Sequence, residues 1–342
     1  MTKLNYEKRL SDLKNRRQEY IFYKSTTDFE RFEPITESYE LYTVAESFKY
    51  ALGAMQAVDK TYTDNTFKTG DRIKNQLQRL ENEGHSLSFR YQGSVTNNTH
   101  IRSHSDIDLL AITDKFYTLE PPQKPSNPYQ GNPTDELYKL RLDSICLLEN
   151  AFPAVNVDTS GAKSISLEGG SLSRKVDVVP SNWYDTTEYT SRQDETYRGI
   201  MVLDSQKMVR ITNTPFFHNY LLKTKDDASL QNFKKIVRLL KTLKADAEKE
   251  INLSSYDLAA IPFHMESSTY VQSNTPLTLI EKALFFLMDL CNNDDKRNSL
   301  YVPDHSRKIF EKAKLVDLQR ITLELEDLYS DILKEQKTSI FN

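Results

Sequence analysis

The residues best equipped for chemistry lie between Phe89 and Thr113: Phe-Arg-Tyr-Gln92-Gly93-Ser94, a spacer over 95–105, then Asp106-Ile107-Asp108-Leu-Leu-Ala-Ile-Thr. Apolar residues at 107, 109, 110, 111 and 112 mark a buried strand, and the alternation of a strand sends Asp106 and Asp108 out from one side. Two carboxylates at that spacing repel each other and resist burial unless a cation neutralises them. The usual cation for clustered hard oxygens is Mg²⁺, which keeps waters and recruits substrate phosphates to complete its octahedron. Upstream, Gly93-Ser94 supplies a tight turn where backbone N–H groups and one hydroxyl can approach a phosphate. A phosphate cradle beside a carboxylate pair is equipment for phosphoryl or nucleotidyl transfer. That chemistry usually needs a third carboxylate. Asp177, a lone acid in the β-branched run Arg174-Lys-Val-Asp-Val-Val-Pro-Ser181, is the candidate. The bland alternative makes Asp106 and Asp108 turn residues and pairs Asp177 with Arg174 or Lys175.

The elements that must hold these groups are legible around them. Ser86–Gln92 alternates and predicts a strand feeding the Gly-Ser turn. Gly169-Gly170 predicts a hairpin that sets the Asp177 strand antiparallel to its predecessor and beside the Asp-x-Asp strand. Further strands are expected at 155–157, 163–167 and 199–202. Apolar spacing of three and four predicts helices over 3–20, 36–60, 64–82 and 134–150, and little but helix from about 228 onward. Pro121 to Pro133 carries five of the chain's 12 prolines and reads as a loop. In the Asn232–Lys249 helix, 233, 236, 237, 240, 243 and 247 form an apolar stripe. Lys234, Arg238 and Lys241 fall on another face, with Lys244 nearby, and for most of them a solvated charged surface is the simpler reading.

Gly-Ser, the spacer, Asp-x-Asp and a distant Asp in Val-Asp-Val-Val-Pro together resemble the polymerase-β-like nucleotidyltransferase superfamily. The set looks most like its cGAS/DncV-like branch, the bacterial CD-NTases that make cyclic oligonucleotide signals in the anti-phage systems called CBASS. The resemblance implies an α+β fold: a nucleotidyltransferase palm, a long spine helix within 36–82, and a helical C-terminal lobe. It divides the chain into an N-terminal helical segment at 1–35, a core at 36–215 and a lobe at 216–342. It implies two Mg²⁺ ions, with Mn²⁺ as a substitute, bridged by Asp106 and Asp108, while Asp177 joins the ion that activates the attacking hydroxyl. Gln92, Gly93 and Ser94 would bind nucleotide. Lys241 would hold the donor's β/γ-phosphates, Ser255 would touch the triphosphate, and Tyr256 would stack on the base. The implied reaction joins NTPs, ATP and/or GTP among them, into a cyclic di- or trinucleotide such as c-di-GMP or cGAMP, which then acts on a downstream effector.

Composition bounds what remains. Against 45 Lys and Arg stand 49 Asp and Glu, a net of −4, which disfavours a surface built for nucleic acid. No obligatory nucleic acid partner is therefore expected, and control by a protein regulator or by nucleotide supply fits better. Cys146 and Cys291 cannot make a disulfide framework or a cysteine-rich zinc site. His100 and His104, beside the signature, read as loop residues. No signal-peptide core and no membrane-length apolar run occurs, so a cytoplasmic protein is expected. The rival readings are another polymerase-β-like enzyme (tRNA CCA-adding, poly(A) or antibiotic nucleotidyltransferase) and a non-enzymatic nucleotide-binding module. The mixed sign of Leu300–Asn342 counts against a tRNA-binding tail, and three intact acids count against a decayed site.

Overall fold

The computed structural model describes residues 5–17, 37–101 and 106–340. They form an α+β protein that divides into two compact units. One comprises Asp59–Asn97 and Ser105–Leu221; the other comprises Met1–Val58, Asn98–His104 and Leu222–Asn342, each counted over its described residues. His104 and much of the 1–35 segment lie outside those residues.

The first unit is built on a mixed seven-stranded sheet. Its strands are β1 (Leu87–Gln92), β2 (Ile107–Leu119), β3 (Asn156–Asp158), β4 (Ile165–Glu168), β5 (Val176–Asp185), β6 (Gly199–Asp204) and β7 (Val209–Asn213). The path runs β1-β2-β5-β4-β3, and β6 pairs with both β5 and β7. Among these pairings only β2 with β5 is parallel; the rest are antiparallel. The two central strands are apolar on both faces, as strands covered on both sides must be. Ile107, Leu109, Ala111, Val176 and Val178 pack with Leu137, Leu140 and Leu148 of the Pro133–Ala151 helix and Ile73 and Leu77 of the Lys60–Leu77 helix. Leu110, Ile112, Val179 and Trp183 enter a second cluster with Ile200 and Val202.

The hairpin before β5 is present, and β4 lies antiparallel to β5 as expected. Its loop is wider than a Gly-Gly turn, because Leu167 pairs with Val176 and residues 168–175 lie between them. The proline-rich stretch forms no helix or strand, and the helix after it opens with Pro133 at its first turn behind an Asn132 cap. The helix expected over 36–60 is shorter. Ser38–Leu41 is a 3₁₀ turn, regular helix spans Glu46–Met55, and a new helix opens at Lys60 behind an Asp59 cap. Leu41 and Val44, which the spacing assigned to a buried face, are 72% and 39% exposed.

The second unit is helical. Tyr6–Arg17, Glu46–Met55, Asn232–Asp246, Ser255–Phe263, Pro276–Asn292 and Leu315–Ile340 share one core that includes Tyr50, Phe233, Leu240, Leu284 and Leu325. Tyr270 and Phe233 meet edge to face in it, with ring centroids 6.2 Å apart. Among the described residues no helix is long and apolar enough to cross a membrane.

Candidate active site

The sheet brings three of the expected residues into one register and a fourth onto the same face. Gln92 at the end of β1 lies opposite Asp108 on β2, and Asp108 lies opposite Asp177 on β5. Asp106 precedes β2 by one residue, so it shares the face of Asp108. Gly93 then leaves the strand with φ +86°, and a side chain there would be strained by that angle alone. Space forbids one as well: an added Cβ would sit 2.4 Å from Asp108 Oδ2. Gly93 is therefore the residue that lets the turn pass against the carboxylate.

The turn over 94–98 is pinned from outside the sheet. Thr96 Oγ1 donates to the Gly93 carbonyl at 2.7 Å, Asn219 Nδ2 donates to Thr96 Oγ1 at 2.9 Å, and Asn97 Nδ2 donates to Asn219 Oδ1 at 3.0 Å. Gln92 Oε1 accepts from Asn213 Nδ2 at 3.3 Å. Behind β1, Tyr91 Oη donates to Asp71 at 2.9 Å, and its ring lies against Gly70, where an added Cβ would come within 2.7 Å. None of these positioning residues stood out in the sequence. Asn213 and Asn219 are polar residues in a stretch without a recognisable period.

Electrostatics set this face apart. Burial pushes the Asp108 carboxyl up to about 7, helped by the charges of Asp177 and Asp106 and opposed by Lys175. Asp177 is also raised, first by burial, while Ser166 and Lys175 pull it back toward the ionised form. Its buried Oδ1 has no hydrogen-bond partner among the described residues, and Lys175 Nζ is 3.7 Å away. Lys175 Nζ lies 2.6 Å from Asp106 Oδ2. Of the ion pairs in the bland reading, then, Lys175 is the basic partner, and its shorter contact is with Asp106. Arg174 instead places its guanidinium 3.9 Å from the centre of the Tyr62 ring.

Among the described residues, as the side chains stand, no group of three or more His, Cys, Asp or Glu is placed to hold a metal ion. The donor set fits a divalent cation all the same. Three carboxylates share one face, two are forced toward neutrality by burial and repulsion, one buried oxygen lacks a donor, and an ammonium bridges two of the three. Hard oxygens short of positive charge suit Mg²⁺ or Mn²⁺.

The other three expected residues lie in the helical unit. Lys241, on the Asn232–Asp246 helix, is only 5% exposed. Its ammonium reaches Thr99 Oγ1 at 3.5 Å, and no carboxylate among the described residues pairs with it. Burial first, then the charges of Arg238 and Lys244, lower it to about 7. The solvated-face reading of its neighbours fails. Arg238 is 6% exposed and donates to the Met55 and Asn98 carbonyls, both at 2.8 Å. Lys244 donates to the Leu253 carbonyl at 2.6 Å, Lys235 donates to Asn232 Oδ1 at 2.9 Å, and Lys234 pairs with Asp226 at 3.6 Å. The helix lies inside the unit, so its basic stripe is met by protein oxygens rather than by water.

Ser254 and Ser255 separate cleanly. Ser254 caps the Ser255–Phe263 helix in a capping box with Asp257, whereas Ser255 is exposed in its first turn. Tyr256 is half-buried beside the core, and the Arg307 guanidinium lies 5.7 Å from the centre of its ring.

Known proteins carry the same plan. The sequence profile of the cGAS/DncV-like nucleotidyltransferase C-terminal helical domain matches residues 221–330. A cyclic dinucleotide synthase, CdnE, from Yersinia aleksiciae is 39% identical over 312 residues, covering 88% of this chain and 81% of that protein. A c-di-GMP synthase from Capnocytophaga granulosa is 31% identical over 360 residues, covering 97% of this chain and 99% of the relative. In fold, the solved structure of a STING-associated CdnE c-di-GMP synthase from Flavobacteriaceae sp. matches with a TM-score of 0.78 at 22% identity, over 97% of this chain and 99% of that one. Nucleotidyltransferases of this family generally work with divalent metal ions. The chain therefore belongs to the cGAS/DncV-like nucleotidyltransferases, within their cyclic-dinucleotide-synthesising branch.

Proposed function

We propose that this enzyme joins two nucleoside triphosphates into a cyclic dinucleotide without a template, with c-di-GMP made from GTP as its principal product. The observation that carries the reading is the carboxylate face: Asp108 and Asp177 paired on neighbouring parallel strands, Asp106 just before the first of them, and Gly93 packed against Asp108. The choice of product rests on the Capnocytophaga granulosa relative, a c-di-GMP synthase aligned over nearly the whole of both chains.

Asp106, Asp108 and Asp177 would hold two Mg²⁺ ions, with Mn²⁺ able to substitute. Bound there, the ions supply a lowered pKa for the attacking ribose hydroxyl and charge neutralisation for the departing pyrophosphate. The protein's own groups do the rest. Gly93 and Ser94 present backbone N–H groups and a hydroxyl to the triphosphate, and the Thr96–Asn219–Asn97 bonds hold that turn in place. Gln92, fixed by Asn213, sits beside the reacting carboxylates as a nucleotide contact. Lys241 supplies a cation for the β- and γ-phosphates, Ser255 a hydroxyl for the triphosphate, and Tyr256 an aromatic face for a base. The product would signal to a downstream effector in anti-phage defence. Synthesis needs no nucleic acid, because the densest basic stripe is already engaged by protein oxygens, and a protein regulator or nucleotide supply controls it.

The test is incubation of purified protein with radiolabelled GTP, ATP and their mixture in Mg²⁺, followed by phosphatase. A phosphatase-resistant product from GTP alone, with the mass of c-di-GMP, is expected. Only linear, phosphatase-sensitive products would remove cyclisation; a resistant product requiring ATP would keep it and replace the base assignment.

A further inference from the structure

Lys175 has no part in the reaction described above, yet it stands on the carboxylate face. Ile107 pairs with Val176 and Asp108 with Asp177, so Asp106 and Lys175 are the residues immediately before the two parallel strands. The Ile107 N–H donates to the Lys175 carbonyl at 3.3 Å and fixes the backbone there. Two residues before Asp177 on an extended chain, the Lys175 side chain leaves on the same side as that carboxylate. Its ammonium lies 2.6 Å from Asp106 Oδ2 and 3.7 Å from Asp177 Oδ1. One cation thus serves two of the three acids that a metal would bind.

The chemistry of the side chain suits a temporary occupant. The pair is open to water, with Lys175 32% and Asp106 41% exposed at the side chain. A pair that exposed is screened by water and can be broken at modest cost. Lysine is a point charge on a flexible four-carbon stem and can leave, where a bidentate arginine fork would hold on.

We propose that Lys175 is the site's built-in counter-ion: its ammonium holds Asp106 and Asp177 before metal arrives, and an entering divalent ion must displace it from Asp106. This rests on the reading of the three carboxylates as a metal site. It makes Lys175 a positioning residue that sets metal affinity by competition, and it gives the metal-free enzyme a settled site instead of three repelling charges.

The experiment is nucleotide-free Mn²⁺ binding, followed by electron paramagnetic resonance at fixed ionic strength. It compares the parent with Lys175→Met, Lys175→Arg and the double variant Asp106→Asn/Asp108→Asn. Lys175→Met should bind Mn²⁺ about tenfold more tightly, the scale of one screened unit charge a few ångströms away. Its metal-free form should melt lower than the parent, and Mn²⁺ should raise its Tm by more. Lys175→Arg, which keeps the charge and grips a carboxylate more firmly, should bind Mn²⁺ no more tightly than the parent. Equal or weaker Mn²⁺ binding by Lys175→Met would overturn the inference while leaving the metal reading intact. Tightening by Lys175→Arg equal to that of Lys175→Met would overturn it too, since charge would then not be the cause. Parent binding that the double variant does not reduce would remove the metal site itself, and this inference with it.

Discussion

The sheet unit and the helical unit each gather like charges, and they settle them in opposite ways. On the sheet, Asp106, Asp108 and Asp177 crowd one face, where Lys175 is the basic side chain paired with them among the described residues, and burial and repulsion raise both Asp108 and Asp177. On the Asn232–Asp246 helix, Lys234, Lys235, Arg238 and Lys244 each meet a protein oxygen, two of them main-chain carbonyls only. A charge answered by the protein's own dipoles is part of the scaffold. A charge left short of a partner needs something from outside, because an unanswered buried charge is costly. Lys241 is the one member of the basic group in the second category, with the Thr99 hydroxyl at 3.5 Å as its hydrogen-bond partner among the described residues. That places it with the acids in kind, although it sits in the other unit.

The largest effect should come from the acids. Asp106→Asn with Asp108→Asn removes charge without volume and should cut product formation by at least about 10³-fold, the scale of losing several kcal/mol of metal-supplied stabilisation. The folded state should be kept, as circular dichroism and a melt would verify. A folded double variant turning over near the parent rate would end the distinction between the two regions.

Within the helix, the contrast between Arg238 and Lys241 sharpens the point. Arg238→Met strands the Met55 and Asn98 carbonyls and should cost about 2–3 kcal/mol of stability in urea unfolding. Lys241→Met should leave stability equal or higher, and weaken GTP binding by about tenfold or more, the worth of one charged hydrogen bond to phosphate. Lys241 is buried, and the proposal that it serves nucleotide more than folding is what this pair of variants tests. A pH series adds a sign. The folded-state value of Lys241 is about 7 against an ordinary 10.5, so between those values the unfolded chain holds a proton that the folded chain lacks. Stability from this group therefore rises with pH across that window and is lowest below it. Lys241→Met should lose this rise between pH 7 and 9; a variant that keeps it would assign the slope elsewhere.

How much was legible follows from how local each feature is. Asp106, Asp108 and Gly93 announce themselves, since an Asp-x-Asp on an apolar strand and a glycine before a polar turn break local pattern for a reason. The hairpin carrying Asp177 was readable from its glycines, though not its width, because the strand pairing that starts at Leu167–Val176 depends on the neighbouring sheet. Lys175 was visible only as an ion-pair option. Its shorter contact, with Asp106, comes from the parallel register of β2 and β5, a long-range property that no local spacing encodes. Asn213 and Asn219 act through tertiary hydrogen bonds and left no periodic trace. The basic helix misled for a related reason. Charged residues off the apolar stripe ordinarily face water, but here other parts of the helical unit cover them, and carbonyls of Met55, Asn98 and Leu253 take the place of solvent.

The most direct test of the central claim, that the carboxylate face binds divalent cations together with nucleotide, is a crystal grown with Mn²⁺ and a non-hydrolysable GTP analogue, measured at the manganese edge. Anomalous peaks bound by Asp106, Asp108 and Asp177, with the analogue's phosphates beside Gly93 and Ser94, are the predicted result. Nucleotide bound in the crystal with no manganese at those three carboxylates would contradict it.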